Sequence, residues 1–139
     1  MYERILVAID DGPASREAVR HARALAESAD AVVYVLHVVR VDNPLSFGIE
    51  EVDDLNAAEE RLAGIVSERF DGDATVHSAL RRGGPAERIV EFADEVDADL
   101  IVIGRHDGGD LRDCLLGSTP ARVLATTFRP TLLVSDTLE

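Results

Sequence analysis

The segment from Gly104 to Pro120 holds the densest set of residues able to meet an anion. It opens as Gly104-Arg105-His106-Asp107-Gly108-Gly109 and closes as Gly117-Ser118-Thr119-Pro120. Glycine permits close approach to the backbone. A helix starting at Gly117-Ser118-Thr119 has unpaired N–H groups and the positive end of its dipole there, and the two hydroxyls add donors. That is the anatomy of a phosphate site. The same residues also suit a plain N-cap, since Ser or Thr ahead of proline in a first helical turn is a common start. The residues alone leave both readings open. Arg105 and Arg112 are candidate partners for a carboxylate or a ligand, and His106 is a candidate donor. Asp10-Asp11-Gly12, directly after an apolar run, offers carboxylates near the same end of the fold.

Other reactive residues read as structural. Cys114, between Asp113 and Leu115 with no neighbouring His, reads as a small apolar filler. His21, His37, His77 and His106 show no metal-ligand spacing, and His37 reads as a satisfied core residue. Ser15 has no His or Asp arranged to activate it. Asp94, Asp97 and Asp99 read as solvated surface. No pair of carboxylates has acid–base logic, so the chain reads as a non-enzyme. The sequence contains no lysine; all 14 basic residues are arginine. That excludes a P-loop lysine and a Schiff base.

Alternating elements position these residues. Arg4–Ile9 and Ala31–Val39 are continuous apolar runs, as strands buried on both faces should be. Between them a helix begins at Pro13, with Ala14, Ala18, Ala22, Leu25 and Ala29 on its inner stripe and Arg16, Arg20, Arg23 and Glu27 outside. Residues 40–51 read as a loop. Val52 to Phe70 reads as a helix with Leu55, Ala58, Leu62, Ile65 and Val66 inward. Ala74–Leu80 is a third strand, and Gly83-Gly84-Pro85 leads into a helix burying Ile89, Ala93 and Val96. Asp99–Ile103 is a fourth strand, Ser118 to Thr127 a helix, and Thr131–Ser135 a fifth strand. Strands separated by helices imply a parallel sheet with right-handed crossovers. The reading is α/β: one doubly wound domain over residues 1–139. In such a sheet ligands collect beyond the carboxyl ends of the strands.

With 139 residues the chain fits one domain without disulfides or metal. Its single cysteine and lack of an apolar run of membrane-spanning length or a cationic leader suggest a cytoplasmic protein. A net charge of −13, from 27 acidic and 14 basic residues, argues against nucleic-acid binding. The acidic, lysine-free composition has two readings: a high-GC genome and an ordinary soluble acidic protein, or, the favoured one, a cytoplasm at molar salt, where carboxylates keep the surface hydrated and repulsion is screened. A receiver-domain reading of Asp10-Asp11 fails, because strand three ends Ala79-Leu80-Arg81-Arg82 with no phosphoacceptor aspartate, and no lysine exists.

Over essentially its whole length the chain resembles the universal stress protein family. Ile5-Leu6-Val7-Ala8-Ile9-Asp10 resembles that family's first strand and aspartate, and Leu36-His37-Val38 the end of its second. Gly83-Gly84-Pro85 followed by Ile89, and Asp99-Leu100-Ile101-Val102-Ile103-Gly104, match further segments. The family's nucleotide signature falls on Gly104, Asp107 and Gly117-Ser118, its spacing intact and its second glycine replaced by aspartate.

The resemblance implies a flavodoxin-like sheet of order 3-2-1-4-5 and a homodimer through strand 131–135. It also implies ATP at the carboxyl edge, with Mg²⁺ as a companion. Ala8 and Val38 would flank the adenine, and Asp10 would approach the ribose or a metal. Gly104, Arg105, Gly117, Ser118 and Thr119 would hold phosphates, with Gly108 available to a re-registered loop. Family members lacking the full signature point to the alternative of a nucleotide-free interaction protein. Slow ATP hydrolysis has the least support.

Overall fold

The computed structural model describes residues 2–10, 13–39, 49–70, 75–105 and 119–135. In β1 (Arg4–Ile9) every residue after Arg4 is buried, as a strand covered on both faces requires. There follow α1 (Pro13–Ala29), β2 (Val32–Val39), α2 (Ile49–Arg69), β3 (Val76–Arg82), α3 (Pro85–Val96), β4 (Leu100–Arg105), α4 (Thr119–Thr126) and β5 (Thr131–Ser135). The sheet order is β3-β2-β1-β4-β5 and each neighbouring pair is parallel, as expected.

Alternation along the strands divides the core in two. Ile5, Val7, Val33, Val35, Val102 and Val134 face α1 and α2, where Ala18, Val19, Ala22, Ala26 and Leu62 meet them. Leu6, Ala8, Leu36, Ile101 and Ile103 face Ile89, Phe92 and Ala93 of α3 and Val123 of α4. The alanine stripe of α1 lets that helix sit close to the sheet. Ala29, expected inward, is exposed: it is the last helical residue, followed by the left-handed turn at Asp30 (φ 54°).

Several boundaries depart from the sequence reading. Helix α2 begins at Ile49, inside the segment read as loop. Strand β3 runs on to Arg82, because Arg81 and Arg82 pair with Val38 and Val39 at the sheet's edge, where charged side chains reach solvent. Strand β4 includes Gly104 and Arg105, which pair with Val134 and Ser135. Glycine there serves a close approach within the strand. A Cβ on Gly104 would lie 2.7 Å from the carbonyl carbon, carbonyl oxygen and Cβ of Ala14 in α1.

Asp94, Asp97 and Asp99 are also more than solvated surface. The backbone N–H groups of Glu3 and Arg4 donate to Asp99 Oδ2 at 2.7 and 2.9 Å. Arg129, ahead of β5, donates to Asp94 at 3.0 Å, Asp97 at 3.1 Å and the Ala98 carbonyl at 2.6 Å. This arrangement ties the amino ends of β1, β4 and β5 together. The Glu3 amide, then the Arg4 amide, hold the Asp99 carboxyl below its usual range. Its contribution is therefore present above the unfolded carboxyl pKa of about 3.9 and is lost as pH falls through the lower folded value. Asp99→Asn is expected to lower the melting temperature modestly at neutral pH, the gap to wild type closing below about pH 4. A gap unchanged across that range in thermal unfolding would overturn this assignment.

Candidate functional site

The parallel sheet gathers the carboxyl ends of β1, β2 and β4 along one edge. Ala8 pairs with Leu36 on one side and Ile103 on the other, so the central strand carries the site's floor. Ala8 is buried and Val38 half-buried, both on the face covered by α3 and α4. Gly104 is half-buried and Arg105 exposed at the end of β4. Because β5 is parallel to β4, α4 must run back from the carboxyl edge to the amino edge. Its first residue, the half-buried Thr119, thus begins at the same end of the molecule. Of the expected site residues the structure places Ala8, Asp10, Val38, Gly104, Arg105 and Thr119 at this end. Asp107, Gly108, Gly117 and Ser118 lie outside the described residues, as do Asp11, His106, Arg112 and Cys114.

Asp10 follows β1 and is exposed, but its side chain has a partner that the sequence reading did not assign. Ser15 Oγ donates to Asp10 Oδ1 at 2.8 Å, and the Asp10 backbone N–H donates to Ser15 Oγ at 2.7 Å. Ser15 is therefore paired with an aspartate after all. The signal available in sequence was the separation of five residues across a strand-to-helix turn, which brings a first-turn side chain back over the strand's end.

His37 also sits at this edge, opposite Ile9 in the β1–β2 register. Its Nδ1 donates to the Ile9 carbonyl at 3.0 Å, as a satisfied histidine would. In the neutral ring that leaves Nε2 as an acceptor. Among the described residues no group of three or more His, Cys, Asp or Glu is placed to hold a metal.

Chemically, the edge combines an anchored carboxylate acceptor, a cationic guanidinium at the end of β4 and the amino terminus of α4. Such a set suits a ligand with hydrogen-bond donors at one end and negative charge at the other.

Comparison with known proteins identifies the family and the fold. The profile of the universal stress protein family matches residues 1–135. Universal stress protein MJ0531 of Methanocaldococcus jannaschii is 33% identical over 140 residues, covering 96% of this chain and 82% of that protein. Universal stress protein G of Escherichia coli O157:H7 is 32% identical, covering 96% of this chain and 99% of its own. Among solved structures, a universal stress protein in complex with cAMP has a TM-score of 0.77 at 26% identity, over 98% of this chain and 99% of that one. The universal stress protein from Archaeoglobus fulgidus in complex with dAMP has a TM-score of 0.70 at 28% identity, over 96% and 98% of the two chains.

Proposed function

The chain belongs to the universal stress protein family, and on that premise we propose that it is a small regulatory module that binds ATP at the carboxyl ends of β1, β2 and β4. The observation that carries this reading is the convergence of Asp10, Arg105 and the start of α4 at one end of the sheet, beside the closely packed Gly104. Complexes of two structural neighbours with cAMP and dAMP support an adenine nucleotide as the ligand class. In this reading Ala8 and Val38 flank the base and Asp10 accepts from the ribose or holds Mg²⁺. Gly104, Arg105, Gly108, Gly117, Ser118 and Thr119 surround the phosphates. Residues 1–139 act as one domain in the cytoplasm, in the response to stress. The module is a binder rather than an enzyme, and its output is a change of contacts when the nucleotide is held.

Purified protein, denatured and chromatographed, is expected to release adenine nucleotide. Titration calorimetry with Mg-ATP at molar KCl is expected to show binding. Absence of both would remove the reading.

A second reading, a nucleotide-free dimeric interaction protein, is favoured by Asp107 in the signature position. The dimer itself rests on the contrast between the two sheet edges. The β3 edge ends in Arg81 and Arg82, whereas β5 is the uncharged run TLLVS. Charged edges resist pairing and uncharged ones invite it. Phe128, fully exposed (104%), stands three residues ahead of β5 and adds apolar surface there. We therefore assign a homodimer through strand 131–135 in either reading. Sedimentation equilibrium is expected to give twice the chain mass, and a monomer at all concentrations would overturn it.

A further inference from the structure

We propose that Ser15 is a positioning residue of the nucleotide site, holding the Asp10 carboxylate in a single orientation as a hydrogen-bond acceptor. This rests on reading the carboxyl edge as a nucleotide site. Among the described residues Ser15 is the one buried polar side chain, 7% exposed on a helix face whose other buried residues are alanines and Val19. Its two bonds with Asp10 close a ring. The Asp10 N–H donates to Oγ at 2.7 Å, and the hydroxyl hydrogen goes to Oδ1 at 2.8 Å. A serine hydroxyl has one hydrogen, so this bond commits it. The pair is thereby locked to its own backbone and presents acceptors, so a ligand must bring the donor.

The lock is also registered to the rest of the site. Ser15 follows Ala14, whose carbonyl lies 2.7 Å from where a Gly104 Cβ would be, so the first turn of α1 is seated against the end of β4. Asp10 thus keeps a set position relative to the strand that leads into the glycine segment. An exposed aspartate without such a partner samples several rotamers, and fixing one on binding weakens affinity. Thr126 shows the more common fate of a helical hydroxyl, donating to the Arg122 carbonyl one turn back at 2.8 Å.

The test is calorimetry with Mg-ATP at molar KCl on the wild type, Ser15→Ala, Ser15→Cys, Asp10→Ala and the Ser15→Ala/Asp10→Ala double variant, with melting temperatures recorded in parallel. Ser15→Ala is expected to bind about tenfold more weakly, and Ser15→Cys, which keeps the volume with a poor donor, to lose nearly as much. In the Asp10→Ala background Ser15→Ala is expected to add nothing, a coupling that a merely structural serine would not show. Should Ser15→Ala fail to fold, Ser15→Cys carries the comparison. Single Ser15 variants that bind within about twofold of wild type overturn the assignment, as does an undiminished effect in the Asp10→Ala background. A wild type that gives no heat and releases no adenine nucleotide on denaturation instead overturns the nucleotide reading itself, which keeps the two failures apart.

Discussion

Gly104→Ala is expected to destabilise the fold by about 1–3 kcal/mol, the usual range for forcing extra volume into a packed site. The added Cβ would meet the carbonyl carbon, carbonyl oxygen and Cβ of Ala14 at 2.7 Å. Those are atoms of a helix's first turn, so no side-chain rotation relieves the contact. Either α1 lifts or the end of β4 moves, and both carry the candidate site with them, because Ser15 and Asp10 adjoin the same turn. Thermal unfolding should therefore show a fall of several degrees, accompanied by weaker nucleotide binding. Gly64 supplies the control. It lies within α2, and a Cβ there meets nothing within 4 Å. Gly64→Ala should raise stability by roughly 0.5–1 kcal/mol through helix propensity alone. Equal melting temperatures for Gly104→Ala and wild type would show that the close approach to α1 is unimportant.

The second large effect is expected at Asp107, which stands where the resemblance places the second glycine of the nucleotide signature. If phosphates lie beside it, its carboxylate repels them. Two unit charges about 4 Å apart repel by roughly 1–4 kcal/mol for effective dielectrics of 80 to 20. Asp107→Gly should accordingly tighten Mg-ATP binding by about fivefold to several hundredfold, measured by calorimetry. The gain should grow as KCl is lowered, since molar salt shortens the screening length to about 3 Å. Weaker binding in the variant would reverse the sign and identify Asp107 as a ligand of Mg²⁺. An unchanged affinity would place the phosphates away from this residue.

Residue 107 lies outside the described residues, so charge and spacing carry that expectation. For Gly104 the tertiary contact carries it. The difference is instructive about glycine. In one dimension a glycine after a buried strand signals a loop and close approach, and the sequence places both Gly104 and Arg105 in the ligand loop. In the fold they extend β4, and the close approach at Gly104 is made by α1.

Charged residues follow the same pattern. Asp94, Asp97 and Asp99 look like any solvated acidic turn in sequence, because Arg129 and the amides of Glu3 and Arg4 stand some 30 to 96 residues away. Ser15 looked isolated, since a helix-period reading asks what lies three or four residues away, and Asp10 is across a turn at five.

The amino-acid order by itself determined the strand and helix sequence, the parallel sheet and which residues lie at its carboxyl edge. Those follow from short-range pattern: short apolar runs such as RILVAI, bounded by turn residues, suit strands covered on both faces, and parallel strands need crossovers of one hand. Tertiary structure alone decided which polar groups meet, that Ser15 holds Asp10, and that Gly104 seats α1. Such pairings depend on distances between side chains on different elements, and local patterns of burial say nothing about which charge or hydroxyl will face another once the sheet has closed.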